Sequence, residues 1–271
     1  MSLVLAALAL SAVAPAAAQP APTPPAPVPV AAPRAAEFAA VLRRAPAFAA
    51  TTGRAIDPAM TGLANPDLGD AFWIVEFSYT EKGVSKPGVA MIIDVAEFAK
   101  KQPGAEKEIT VRDGRWGLGG LFEDTTFAGW IAKMQDARRA ANEAAAIGDI
   151  RTVLSAEFAY SASAGGFGDP ACLASPANCI PGYKGLSFLM DGWSPVGDRY
   201  GFRRTFHAGP KAAAKTRATP TLDTFAITAV PLVPGMRAFC GDSTGSVCAI
   251  ADGTMPAITA GACPATCKPL Q

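Results

Sequence analysis

Residues Asp136–Tyr160 read DARRAANEAAAIGDIRTVLSAEFAY and run on into SASAGGFGDP. Alanine and other strong helix formers dominate, and only Gly148 interrupts them, at a cost of about 1 kcal/mol relative to alanine. Ile147, Ile150, Leu154 and Phe158 recur at the three-to-four spacing that puts side chains on one helix face. Upstream, Phe127, Trp130, Ile131 and Met134 begin an apolar face. Asp124 or Thr125 can accept from the free amides of a first turn, and Gly165-Gly166 supply a stop. One long helix over 125–161 is predicted.

After this helix the pattern changes. Leu186–Leu189, Tyr200–His207, Thr224–Pro231, Arg237–Cys240 and Val247–Ala251 read as short strands. The last two flank Gly241-Asp242-Ser243-Thr244-Gly245, a hairpin-turn signature. A helix followed by strands in succession predicts an α+β layer, with the helix packed on an antiparallel sheet.

Before the helix, Ala35–Phe48 reads as a helix that Pro46 ends or kinks. Thr51–Asp70 is rich in Gly and Pro and reads as loop. Phe72–Thr80 and Val89–Asp94 are strands around a Gly83/Pro87-Gly88 turn region, with a short helix at Val95–Lys101 and a short strand at Ile109–Arg112. Gly117-Leu118-Gly119-Gly120 reads as a flexible joint; a phosphate loop would need a following Lys-Ser/Thr or a βαβ setting, and the sequence offers neither. Residues 34–124 thus form a small α+β module, and residues 125–271 a second domain.

The first residues point to export. Met1–Gln19 carries an apolar run ending in Ala16-Ala17-Ala18-Gln19, the pattern of a signal peptide (1–18) cleaved after Ala18. The alternative is an uncleaved anchor, against which the run is short for a bilayer span; no second apolar segment of spanning length follows it, so no transmembrane segment is expected after cleavage. Residues 19–33 form a Pro/Ala linker, read as extended chain. All six cysteines, Cys172, Cys179, Cys240, Cys248, Cys263 and Cys267, lie downstream of the long helix. An even count in an exported chain predicts disulfides, with sequence-local pairing 172–179, 240–248 and 263–267 as the simplest scheme. The spacings fit no zinc-ribbon pattern. Net charge is +1 over 271 residues. No Lys/Arg block is interleaved with aromatics, so nucleic-acid binding is not expected.

The ordered set of motifs in residues 133–250 resembles the globular part of type IV pilins and of type II secretion pseudopilins. Their helices read like RIAANEASAIGSLRTI, followed by a Gly-rich turn and strands of the Y-x-F, F-x-I-x-A-x-P and R-x-F-x-x-D-x-T-G kinds. Here those positions are Tyr200-Gly201-Phe202, Phe225–Pro231 and Arg237–Gly245. The resemblance implies a pilin-like head, and an exported, non-enzymatic, periplasmic or extracellular protein acting as accessory or adaptor to a pilus or secretion system in the cell envelope. It departs from the family where a prepilin leader and a hydrophobic helix would stand. Val111–Ile131 carries Arg112, Asp113, Arg115, Glu123 and Asp124, charges that neither a membrane nor a filament core accepts.

Other chemistry is weighed against this. Ser243 lies in a Gly-Asp-Ser setting, and with His207, the sole histidine, it would make a serine hydrolase; a hairpin turn explains the same residues. A periplasmic module binding a small ligand or Ca²⁺ is the other alternative; Asp191, Asp198 and Asp242 could supply oxygens to Ca²⁺, without EF-hand spacing. No other cofactor is expected. Arg138, Arg139, Glu143, Asp149 and Arg151 form a charged helix face, read as a docking face for an envelope partner, with Glu143 and Arg139 spaced to pair.

Overall fold

The computed structural model describes residues 27–65, 69–212 and 221–270. The signal-peptide stretch 1–18 and the linker up to residue 26 lie outside the described residues. The protein is α+β, with two antiparallel sheets and one long helix. Its contacts divide the described chain into two compact units, which meet between residues 137 and 138.

The first unit contains β1 (Val28–Pro29), α1 (Ala32–Arg44), β2 (Ala55–Asn65), β3 (Gly69–Glu81), β4 (Val84–Asp94), α2 (Val95–Lys101), β5 (Arg112–Asp113) and β6 (Trp116–Glu123). The sheet order is β1-β2-β3-β4-β6-β5, antiparallel throughout. Alternation along β3 does the sorting: Trp73, Val75, Phe77 and Tyr79 join the core that α1 supplies with Phe38, Val41 and Leu42. Phe38 meets Trp116 edge-on at 4.9 Å between ring centroids, and Trp116 Nε1 donates to Glu37 at 2.6 Å. A smaller cluster gathers Ile93, Phe98 and Ile109.

Three expectations change here. The turn-rich stretch read as loop contains β2. Its Asp57-Pro58 falls in a register shift between Ile56 and Met60, where Asp57 Oδ1 accepts from the Ala59 amide at 2.8 Å. A proline in a bulge leaves the strand intact, which is why composition misled. The linker ends before Pro33: Val28 and Pro29 pair with Gly62 and Thr61, and Ala32-Pro33 open α1. The GLGG stretch is not a joint but the middle of β6. A Cβ on Gly117 would collide with Ile109, one on Gly119 would meet Ile93 at 2.5 Å, and one on Gly120 would meet Met91 at 2.5 Å. Gly119 is also the extra residue where the β4–β6 register shifts between Met91 and Ile92.

The long helix α3 runs Phe127–Ala164, close to prediction. Its first turn is fixed by Glu76 of β3, whose carboxylate accepts from the Phe127 amide. Trp130 packs beside Phe122 and Phe127. The division between the units falls within α3.

The second unit adds α4 (Pro170–Ala174), β7 (Gly197–Arg199), β8 (Phe202–Ala208), β9 (Phe225–Pro231), β10 (Ala238–Asp242), β11 (Val247–Ile250) and β12 (Lys268–Pro269). The strands pair in sequence order, β7 to β12, a pure antiparallel meander. Leu186–Leu189 forms no strand. The C-terminal half of α3 lies on this sheet: Ala146, Ile150, Val153 and Leu154 share a core with Phe202, Phe225, Ile227, Phe239, Val247 and Ala249. The buried stripe is rotated from the predicted one. Ile147 is half-buried, and Phe158 is 42% exposed at the edge, where its ring meets Phe167.

Close approach of helix and sheet centres on Gly241, where a Cβ would sit 2.5 Å from Ile150 Cγ2. Gly148, two residues before Ile150 and turned away from the sheet, has nothing within 4 Å. Gly241→Ala is therefore expected to destabilise by about 1–3 kcal/mol through overpacking. Gly148→Ala should stabilise by about 0.5–1 kcal/mol by restricting the unfolded chain and favouring helix. Urea titrations of both variants read the opposite signs directly.

Candidate functional site

The Gly241–Gly245 motif is the tight turn between β10 and β11. Asp242 is buried, and its carboxylate is fully engaged: Oδ1 accepts from the Thr244 amide at 3.0 Å and hydroxyl at 2.6 Å, and Oδ2 from the Cys263 amide at 2.9 Å. Gly245 takes φ +82°, and its amide donates to the Asp242 carbonyl at 2.9 Å. Ser243 donates its amide to the Phe225 carbonyl at 3.0 Å.

His207 stands on β8 opposite Ala226, and Ala226 in turn opposes Asp242. One strand therefore separates the histidine from the turn, which sets the backbones roughly 10 Å apart. The His207 ring meets Thr228 Oγ1 through Nε2 at 2.9 Å, and burial lowers its pKa. Among the described residues no hydrogen bond joins Ser243 to His207. The hydrolase alternative pairs Ser243 with the sole histidine from outside its motif, and the fold does not join the two as nucleophile and base.

The three aspartates considered for Ca²⁺ are also dispersed. Asp198 is held by Arg203 through two bonds, at 2.9 and 3.1 Å, and this pairing lowers its pKa. Asp242 is committed to the turn and Asp191 is exposed. Among the described residues no group of three or more His, Cys, Asp or Glu side chains is arranged to hold a metal ion.

The charged helix face divides in two. Glu143 does not reserve itself for Arg139: it accepts from the Arg237 amide at 2.8 Å and from its guanidinium at 3.0 and 2.7 Å. Asp149 points into the helix–sheet interface, where Arg204 Nη1 meets it at 2.9 Å and Arg199 approaches to 3.9 Å. Arg204 also lies 5.4 Å from the Trp193 ring centroid. These two acids fasten α3 to its own sheet, and of the five residues Arg138, Arg139 and Arg151 are exposed. Arg151 borders a shallow groove of about 430 Å³ with Thr152, Ser155, Ala156, Ala159 and Phe188.

All six cysteines are bonded, but two of the three local pairings are replaced. Cys172–Cys179 forms as expected, whereas Cys240 pairs with Cys263 and Cys248 with Cys267. Cys240 and Cys248 are direct neighbours across β10 and β11. Phe239, Val247 and Ala249 point toward α3. Alternation therefore turns Cys240 and Cys248 to the opposite face. There the C-terminal tail lies over them and supplies Cys263 and Cys267, with Ile258 alongside.

Sequence reasoning passed over the most unusual ionisable group. Glu157 lies in the buried stripe of α3 with no exposed surface. Oε2 accepts from the Gly168 amide at 2.8 Å, and Oε1 has no partner. Burial pushes its pKa up to about 8; the Gly168 bond opposes this, and the nearby Asp169 charge adds to it. The signal was present: Glu157 stands three residues after Leu154 and seven after Ile150, on the apolar face. Disulfides are consistent with an oxidising compartment outside the cytoplasm, and no helix among the described residues is long and apolar enough to cross a membrane. No family model, curated protein or solved structure matches this chain.

Proposed function

We propose that the protein is an exported, non-enzymatic, pilin-like component of the cell envelope that serves as accessory or adaptor to a type IV pilus or type II secretion system. The observation that carries this reading is the packing of α3 on the meander. The half of the helix that resembles pilin sequences is the half that lies on β8–β11, with Ile150 and Leu154 both over Gly241. The motifs Tyr200-Gly201-Phe202, Phe225–Pro231 and Arg237–Gly245 fall on that sheet or its turns. The engaged Asp242 and the separated His207 favour a structural role for the Gly-Asp-Ser motif. The exposed Arg138 and Arg151 give an envelope partner cations to meet.

In-cell crosslinking of the tagged full chain, followed by identification of the adducts, tests the proposal. Pilus or secretion subunits are expected, and Arg138→Glu with Arg151→Glu should remove most of the adduct while leaving the fold intact. An unpartnered monomer in the envelope fraction would count against it. A fluorophosphonate probe should leave Ser243 unmodified; labelling that is abolished in Ser243→Ala would replace the proposal with a hydrolase.

A further inference from the structure

Glu157 and Tyr160 are three residues apart on α3, so their side chains share a face. Both are fully buried, and Glu157 Oε1 and Tyr160 Oη both lack a hydrogen-bond partner. Orphaned polar atoms are uncommon in protein cores and ask for a reason. The segment they face begins at Gly168, whose amide donates to Glu157. A Cβ on Gly168 would sit 3.1 Å from the Tyr160 ring, so backbone and ring are in tight contact. Beyond Gly168 the segment is braced on itself. Cys172 and Cys179 are bonded, the Leu173 carbonyl accepts from the Phe188 amide at 3.0 Å and from the Ser187 hydroxyl at 3.1 Å, and Phe188 meets Tyr160 edge-on at 5.6 Å. Before Gly168, Phe167 is anchored separately by two backbone bonds to Leu222, at 3.0 and 2.8 Å.

We propose that Glu157 is a proton-operated latch: as a neutral acid it holds the braced flap from Gly168 to Trp193 closed on α3, and its ionisation opens that flap to water.

The surroundings give the latch its direction. A buried carboxylate needs several donors or a cation, and Glu157 has one amide. The charged and titratable groups around it do not help. Asp169 caps α4 by accepting from the Cys172 amide at 2.8 Å and repels a second negative charge. Tyr160 is a neutral phenol, whose own pKa is raised by burial. Cys172 and Cys179 are oxidised. Arg204, at the Trp193 ring, is held by Asp149. Opening the flap hydrates Glu157, so each pH unit above the ordinary glutamate value favours the open form until the buried acid itself ionises.

Hydrogen exchange of the intact, oxidised chain between pH 6 and 9, corrected for intrinsic exchange, reads the latch. Protection of residues 168–189 is expected to fall about tenfold per pH unit and to level off near pH 8, with β10 and β11 unchanged. Glu157→Gln keeps an acceptor for the Gly168 amide and cannot ionise, so its profile should be flat. A flat wild-type profile, or an equal fall in E157Q, overturns the proposal. Infrared spectroscopy of the wild type decides independently of whether E157Q folds. A protonated-carboxyl band at pH 7 that vanishes by pH 9 is expected, and its absence at pH 7 overturns the latch.

Discussion

Asp149→Ala is expected to cost the second unit about 3–5 kcal/mol, because it strands Arg204 as an unpaired buried charge. Arg204 is only 6% exposed, and Asp149 is its partner at 2.9 Å. The remaining contacts do not replace the carboxylate. The Gly197 carbonyl accepts from Arg204 Nε at 3.4 Å, a long bond, and the Trp193 ring offers a face at 5.4 Å. Arg199 approaches Asp149 only to 3.9 Å and from a half-exposed position, where an ion pair contributes little. Asp149→Asn keeps the shape and an acceptor oxygen, so it should lose less than Asp149→Ala. The informative variant is the double replacement Asp149→Leu/Arg204→Met. Exchanging the whole pair for apolar groups of similar volume removes the desolvation cost along with the attraction, and is expected to be near neutral. Urea midpoints of the wild type, Asp149→Leu, Arg204→Met and the double variant form a double-mutant cycle. A loss in Asp149→Ala below about 1 kcal/mol would mean that the interface is wet, not closed. The pair also sets how α3 lies on β8, since a helix sliding by one turn would separate Asp149 from Arg204.

Periodicity made the long helix legible, and strand order made the meander legible, because both signals are local. The details that failed are those set by residues far apart in sequence. Thr125 and Asp124 were reasonable caps for α3, yet the first amide is taken by Glu76, 51 residues upstream on a neighbouring strand. Glu143 has the helical spacing to pair with Arg139, but spacing gave no sign of Arg237, which arrives from the β9–β10 connection and donates to Glu143 from its guanidinium and its backbone amide. In β6 the glycines look like flexibility in one dimension and are close packing in three, since Ile93 and Met91 occupy the space of the missing Cβ atoms. Phe158 had the right spacing to be buried but is displaced to the edge, because the true stripe runs through Glu157 and Tyr160. A charge on an apolar stripe is discounted as a helix-surface residue when hydrophobicity alone is scored. It becomes informative when the question is what a buried carboxyl would have to do.

Removing the two tail disulfides together is expected to be the most damaging change in the second unit. Cys240–Cys263 and Cys248–Cys267 close chain separations of 23 and 19 residues. Loop-closure entropy for rings of that size stabilises by roughly 3 kcal/mol each. The two rings overlap between Cys248 and Cys263, so opening the second releases less new chain than opening the first, and the joint loss should fall short of the sum, at about 5 kcal/mol. The entropic cost is not the whole effect. Cys240 is fully buried, and Ala226, Cys240 and Cys248 share a cluster with the tail that covers them. Asp242 holds the Cys263 amide, and without the tail one oxygen of a buried carboxylate loses its donor. Cys240→Ser/Cys263→Ser alone should therefore lower the melting temperature more than Cys172→Ser/Cys179→Ser, whose ring spans a separation of 7 and whose loss releases little chain. Calorimetry of the single-pair and double-pair variants tests the ordering, with exchange of residues 257–270 as the local readout. If the Cys172/Cys179 variant proved the more damaged, the tail would be a passive cover, and the stability of the meander would rest on its contact with α3.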